Sequence, residues 1–123
     1  MTNAIKIIFI TIMTVIQLNA SSYQSLLFHG NCVTCHHETE DISAPSIIQL
    51  KSVYLSAFPQ KEEFVDYMAG WVQYPNTQTS LMDGAIKKYE LMPELGFDLF
   101  TLKNIAEYIY DTDFTKPHEG HRN

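Results

Sequence analysis

Cys32-Val33-Thr34-Cys35-His36 is the stretch of sequence from which the fold is predicted. It contains both cysteines of this 123-residue chain, and a histidine directly follows the second one. Two thiols at this spacing can add to the two vinyl groups of a haem and hold it by thioether bonds. A neutral imidazole in the next position can bind the iron as its proximal ligand. The stretch therefore predicts one covalently attached haem c, held by Cys32, Cys35 and His36.

The cysteine pair has three alternative roles that stay open. A thioredoxin-like redox pair normally lies in a βαβ context, whereas this chain has almost no strand pattern. A zinc site needs four ligands, usually from two cysteine pairs, and the chain has only one pair. A structural disulfide suits an exported protein but leaves His36 without a role. We expect haem attachment because it gives all three residues a role.

Residues 1–20 have the pattern of a secretory signal peptide. Lys6 precedes a largely apolar run over residues 7–18, and the small residues that follow suit cleavage. A retained membrane anchor is the alternative, but the run is well short of the ~20 apolar residues that span a bilayer. We therefore expect export, cleavage, and no stable membrane span in the mature protein.

The mature chain is predicted to be one small acidic domain. Fourteen acidic residues outnumber eight basic ones, which gives a formal net charge of −6 at pH 7, and the predicted signal contributes only Lys6 to these charges. An acidic surface argues against nucleic acid as a partner, because phosphates select for basic surfaces. It permits a partner with a basic docking surface. The alternative is that the charge only keeps the protein soluble.

Apolar periodicity predicts an all-α fold of about four to five helices. The predicted helices cover residues 22–33, one or two turns within 47–55, a segment between Pro59 and Pro75, residues 80–90, and a last helix that Asp98 caps. Pro59 is placed in the first turn of its helix. The buried face of the last helix is expected to carry Leu99, Leu102, Ile105, Ala106 and Ile109. Residues 112–123 are expected to be a polar, frayed tail.

The second ligand of the iron is expected to be Met92. A methionine opposite a histidine suits an electron carrier, because the thioether favours the ferrous state. Three methionines follow the predicted signal: Met68, Met82 and Met92. Met68 lies on an apolar helical face, where core packing explains it, and Met82 lies near the start of a weak helix. Met92 lies in a loop, and a loop can carry a ligand to the far side of the ring.

These features together resemble class I cytochromes c. The resemblance covers roughly residues 22–111 and is carried by the motif at 32–36, by Pro45, Pro75, Met82 and Met92-Pro93, and by the last helix. It implies a small all-α fold around one haem, with Met92 as the distal ligand and the Pro45 carbonyl accepting the other ring N–H of His36. The first helix departs from the pattern, since Leu27, Phe28 and Gly30 do not clearly supply the glycine and aromatic often paired there.

The resemblance also implies a compartment and a function. Bacterial haem of this type is attached outside the cytoplasmic membrane, so the chain is expected in the periplasm. We expect a one-electron carrier between a redox donor and an acceptor protein, and not an enzyme. An electron-entry subunit of a larger periplasmic enzyme and a haem-based gas sensor are the alternatives. Trp71 and Tyr89 are expected to be core residues, with contact to a haem propionate as the alternative. His29 and His37 are expected at the surface, and His118 and His121 in the tail.

Overall fold

The computed structural model describes residues 3, 5 and 22–116, and between residues 22 and 116 it contains five helices and no strand. Residues 22–31 are helical and are called α1. The others are α2 (Ile47–Ala57), α3 (Lys61–Gln73), α4 (Asp83–Tyr89) and α5 (Leu99–Asp111). The all-α prediction is confirmed for this part of the chain. The predicted signal, apart from Asn3 and Ile5, and residues 117–123 of the predicted tail lie outside the described residues.

The helix ends follow local capping chemistry. The Asp98 carboxylate accepts the Thr101 amide at 2.9 Å, which confirms Asp98 as the N-cap of α5. Ser46 caps α2 in the same way, accepting the Gln49 amide at 3.4 Å. With this cap, α2 runs for 11 residues, longer than the one or two turns predicted.

The prediction for Pro59 was wrong. Gln60 is the N-cap of α3 and Lys61 is its first helical residue, so Pro59 precedes the helix instead of lying in its first turn. The Pro59 carbonyl accepts the Tyr110 hydroxyl at 2.9 Å, a contact that ties this corner to α5. Local sequence could not reveal that contact, because its two partners are 51 residues apart.

The core lies where α3 packs against α5, with α2 beside them. Phe64 of α3 contacts the ring of Tyr110 at 5.2 Å between centroids and the ring of Tyr54, on α2, at 5.8 Å. The buried face of α5 carries four of the five predicted residues, namely Leu102, Ile105, Ala106 and Ile109. Leu99 is 39% exposed, which corrects the prediction for that residue. It is the first residue of α5, at the end of the helix.

The first helix is anchored to the last one. Phe28 is fully buried, and its ring lies 5.1 Å from that of Tyr108 on α5. One turn earlier, the Gln24 amide donates to Asn104 at 3.2 Å and to Glu107 at 3.0 Å. Phe28 therefore supplies the buried aromatic residue that the sequence left unclear.

The beginning of the predicted tail is packed, not frayed. Phe114 is only 4% exposed, and its ring lies 5.4 Å from that of Phe28. The Lys51 ammonium donates to the carbonyls of Tyr110 at 2.8 Å and Thr112 at 2.6 Å, which satisfies carbonyls at the end of α5. Burial lowers the pKa of this ammonium, and the nearby Asp113 and Asp111 carboxylates partly counteract that shift. Residues 112–116 therefore belong to the domain.

Among the described residues, no helix combines the length and the apolar character that crossing a bilayer requires.

Candidate functional site

The cysteine motif forms one turn directly after α1. The Cys32 amide donates to the Phe28 carbonyl at 2.9 Å, and the His36 amide donates to the Cys32 carbonyl at 2.9 Å. The turn is thus an extension of α1, and its position is fixed by the burial of Phe28. Both thiols are free; Cys32 is half-buried and Cys35 is exposed.

A cavity of about 270 Å³ lies beside this turn, and most of its lining is apolar. All five residues predicted for the haem site line it: Cys32, Cys35, His36, Pro45 and Met92. They come from the turn after α1, from the segment before α2 and from the segment after α4. The fold therefore gathers around one space residues that are up to 60 positions apart in the sequence.

The two ring nitrogens of His36 are in different situations. Nδ1 donates to the Pro45 carbonyl at 2.8 Å, the contact that the resemblance predicted. Nε2 has no hydrogen-bond partner among the described residues. With the proton on Nδ1, Nε2 carries a lone pair, which is the form of imidazole that binds a metal.

The Pro45 carbonyl is itself held in place. Pro45 is buried, and the next amide, that of Ser46, donates to the Asp41 carboxylate at 2.6 Å. This hydrogen bond lowers the pKa of Asp41. The Ile47 amide donates to the His37 carbonyl at 2.9 Å, which closes the segment at its far end. The backbone on both sides of Pro45 is therefore fastened.

All three methionines of the described chain line the cavity, so lining alone does not select a ligand. Met68 is buried in the core cluster with Phe64 and Ile105. Met82 is the N-cap residue of α4, and its amide donates to the Ser80 hydroxyl at 3.0 Å. Met92 lies in the irregular segment 90–98, where the backbone is not bound into a helix.

The backbone of this segment turns sharply at its start. Glu90, the residue after α4, has φ 71° and ψ 174°, a backbone conformation that residues other than glycine rarely adopt. Such a residue stores strain on the order of 1–3 kcal/mol, which the surrounding structure must offset. The turn ends α4 abruptly and directs Leu91 to Pro93 along the cavity, where they form part of its lining.

Trp71 and Tyr89 both line the cavity but differ in how their polar atoms are satisfied. The Trp71 indole N–H donates to the Asn76 carbonyl at 3.0 Å, so it is engaged by the protein itself. The Tyr89 hydroxyl is buried and has no hydrogen-bond partner among the described residues. The Lys88 ammonium lies 4.8 Å from the centre of the Tyr89 ring. A buried hydroxyl without a partner at a cavity is a position where a bound group can supply the acceptor.

The environment of Cys32 bears on the alternatives to haem. Burial, with a smaller contribution from Cys35, raises the pKa of the Cys32 thiol to about 11. Redox-active cysteine pairs have the opposite property, a lowered pKa that keeps a thiolate available. No group of three or more histidine, cysteine or acidic side chains in the described residues is placed to hold a metal ion, as a zinc site would require.

His29 and His37 are placed differently from the prediction. His29 is not exposed: its side chain is 19% accessible and contacts Glu38 at 3.2 Å. His37 is half-buried, and its carbonyl accepts the Ile47 amide. His118 and His121 lie outside the described residues. The spacing of Ser25 and His29, four residues or about one helical turn, was the one local signal that α1 itself would hold the His29 ring.

The chain matches no protein-family model, no curated protein and no solved structure.

Proposed function

We propose that this chain is a periplasmic one-electron carrier with a single haem c. The observation that carries the proposal is the apolar cavity that gathers the Cys32–His36 motif, a His36 ring with Nε2 free, and Met92. In this proposal Cys32 and Cys35 hold the haem, His36 is the proximal ligand and Met92 the distal one. The bound haem would supply a reversible one-electron change at its iron.

The residues around the cavity fit such a group. Two free thiols on one turn suit two thioether bonds, and the mostly apolar lining suits a porphyrin face. The unpartnered Tyr89 hydroxyl would donate a hydrogen bond to a haem propionate. Pro45 would keep the proton on Nδ1 of His36, and this hydrogen bond would strengthen Nε2 as a ligand.

The sequence supports the compartment and the type of partner in this proposal. Residues 1–20 would direct export, which places haem attachment outside the cytoplasmic membrane. At the cavity, Leu91 and Leu95 are 39% and 44% exposed, next to exposed Glu90 and Glu94. No basic residue occurs between positions 89 and 102. A redox donor or acceptor with a basic rim around an apolar centre would complement this surface.

The proposal is tested by expressing the full chain in a bacterium that attaches c-type haem. A pyridine haemochrome spectrum of the purified protein should show one covalent haem per chain, and the Cys32→Ser/Cys35→Ser variant should show none. The ferric protein should also have the weak long-wavelength absorption band of methionine-ligated haem. Wild-type protein without covalent haem would overturn the proposal.

Two further results would favour one of the alternative functions over the electron carrier. Covalent haem without that band, together with rapid CO binding to the reduced protein, would favour a gas sensor. Tight co-purification with a larger periplasmic redox enzyme would favour an electron-entry subunit. A monomer that exchanges electrons with small redox proteins supports the carrier.

A further inference from the structure

His29 connects α1 to the segment that follows the cysteine motif. Its Nδ1 lies 2.8 Å from the Ser25 carbonyl on α1 and 3.3 Å from the Ser25 hydroxyl. Its Nε2 lies 3.2 Å from a carboxylate oxygen of Glu38. The side chains of His29 and Glu38 are only 19% and 25% exposed, so this contact is largely shielded from water.

The imidazole of His29 has little freedom to turn. Its ring packs edge-on against Phe28 at 5.0 Å and against Tyr108 of α5 at 5.9 Å between centroids. Nδ1 lies within hydrogen-bond distance of the Ser25 carbonyl and Nε2 within hydrogen-bond distance of the Glu38 carboxylate, so contacts at both ring nitrogens hold the imidazole. The ring therefore spans a fixed gap between α1 and Glu38.

Glu38 belongs to a segment that ends at the Pro45 carbonyl. Its own carbonyl accepts the Ile48 amide at 3.0 Å, and the neighbouring His37 carbonyl accepts the Ile47 amide at 2.9 Å. These two bonds join the beginning of the segment to the first two residues of α2, which follow Pro45 and Ser46. Whatever holds Glu38 therefore also limits where the Pro45 carbonyl can lie.

We infer that His29 is a positioning residue for the candidate site. By holding Glu38 to α1, it fixes residues 37–46 and hence the carbonyl that orients the ring of His36. The geometry alone shows that hydrogen bonds hold this segment, while the role of the segment in orienting a haem ligand rests on the proposed function. His29 itself does not line the cavity, so it acts through Glu38 and Pro45.

The test is hydrogen exchange followed by NMR on the full chain and on two single variants, His29→Gln and Glu38→Gln. In both variants the Ile47 and Ile48 amides should exchange faster, by about 5-fold if the contact contributes as a typical hydrogen bond does. Amides in the middle of α3 and α5 should keep their rates. The double variant should be no worse than either single one, because the two side chains act as one unit.

Lys61→Gln is the matched control. It removes a different contact, the ion pair of Lys61 with Asp111 at 2.7 Å, which does not touch the 37–46 segment. It should leave the Ile47 and Ile48 amides unchanged. Equal effects of Lys61→Gln and His29→Gln on these amides, or equal acceleration throughout α3 and α5, would overturn the inference.

A second readout reports on His36 itself. In the reduced, haem-bearing protein, the His36 Nδ1 proton should exchange faster in His29→Gln than in Lys61→Gln. An unchanged rate of this proton would overturn the positioning role even if the amides respond. If the wild-type protein carries no covalent haem, the proposed function fails, but the amide measurements still decide whether His29 holds the segment.

Discussion

His36 shows how one hydrogen bond decides which ring nitrogen of a histidine stays available. Its Nδ1 is engaged by the Pro45 carbonyl, which leaves only Nε2 to coordinate. The motif and Pro45 were both recognisable in the sequence, because this chemistry depends on residue type and short spacing. The choice among three methionines was not settled in the same way, since Met68, Met82 and Met92 all line the cavity.

Met92→Ala separates these methionines. If Met92 is the distal ligand, the variant should keep covalent haem, bind CO rapidly when reduced, and lose the methionine band. Its reduction potential should fall by on the order of 0.1 V, a part of the ~0.8 V range that axial ligands control. Met82→Ala is the matched control and should keep the wild-type spectrum and potential. The reverse pattern would assign the ligand to Met82, and no change in either variant would exclude both.

The helices show which parts of the fold are determined by residues close together in the sequence. Asp98 was identified as an N-cap from the sequence because its partner, Thr101, is three residues away. The packing of residues 112–116 was missed because Phe114 is buried by partners from α1 and α5, namely Phe28 and Tyr108. The contact of His29 with Glu38 was missed for a similar reason, since the two residues lie on opposite sides of the motif.

The end of α5 gives a direct test of the packed tail. Phe114→Ala should reduce the free energy of unfolding by about 3 kcal/mol, as truncating a buried aromatic residue does. Phe100→Ala removes the same atoms from a residue that is 71% exposed, and should cost less than about 0.5 kcal/mol. Urea denaturation at pH 7 measures both. A frayed tail would instead make Phe114→Ala as harmless as Phe100→Ala.

The start of α5 should make stability depend on acid pH. Hydrogen bonds from the Thr101 amide and hydroxyl lower the pKa of Asp98 below its usual value in the folded protein. A carboxylate with a lowered pKa stabilises the fold above its unfolded pKa of about 4, and this contribution disappears as the pH falls through the lower, folded value.

Asp98→Ala should therefore unfold at lower urea concentration than wild type at pH 7, and the difference should shrink towards pH 2. Asp98→Asn is the control, because asparagine also caps a helix but does not titrate. The stability gap between Asp98→Asn and Asp98→Ala should stay nearly constant over the same pH range. A wild-type advantage over Asp98→Ala that persists undiminished at pH 2 would contradict this role of the carboxylate.

At the scale of the whole molecule, the cavity is a product of chain topology. The residues predicted to bind haem come from the segments after α1, before α2 and after α4. Side chains of α3 and α5, which pack against each other, form much of the remaining lining. Sequence patterns indicated each segment, but the cavity that the segments share and the unpartnered Tyr89 hydroxyl required the assembled structure. The acidic character was visible in the composition, whereas the exposure of Leu91 and Leu95 beside Glu90 was not.

The exposed acidic residues beside the cavity, Glu90 and Glu94, lead to a prediction of how charge affects electron transfer. If electrons leave at the cavity, Glu90→Gln/Glu94→Gln should slow oxidation of the reduced protein by a tripositive cobalt complex by roughly 3-fold at low salt. The same variant should speed oxidation by ferricyanide, because the oxidant is an anion. Both effects should fade as salt is raised, since screening shortens the range of the charges.

Glu62→Gln/Glu63→Gln is the matched control for that experiment. It removes the same two charges from the exposed first turn of α3, whereas Glu90 itself lines the cavity. Because both double variants have the same net charge, any difference between them reports where the charge lies. A larger effect at Glu90 and Glu94, of opposite sign for the two oxidants, would place the exit of electrons at the cavity. Equal effects of the two variants would mean that only net charge matters, and the docking surface would have to be sought elsewhere on the molecule.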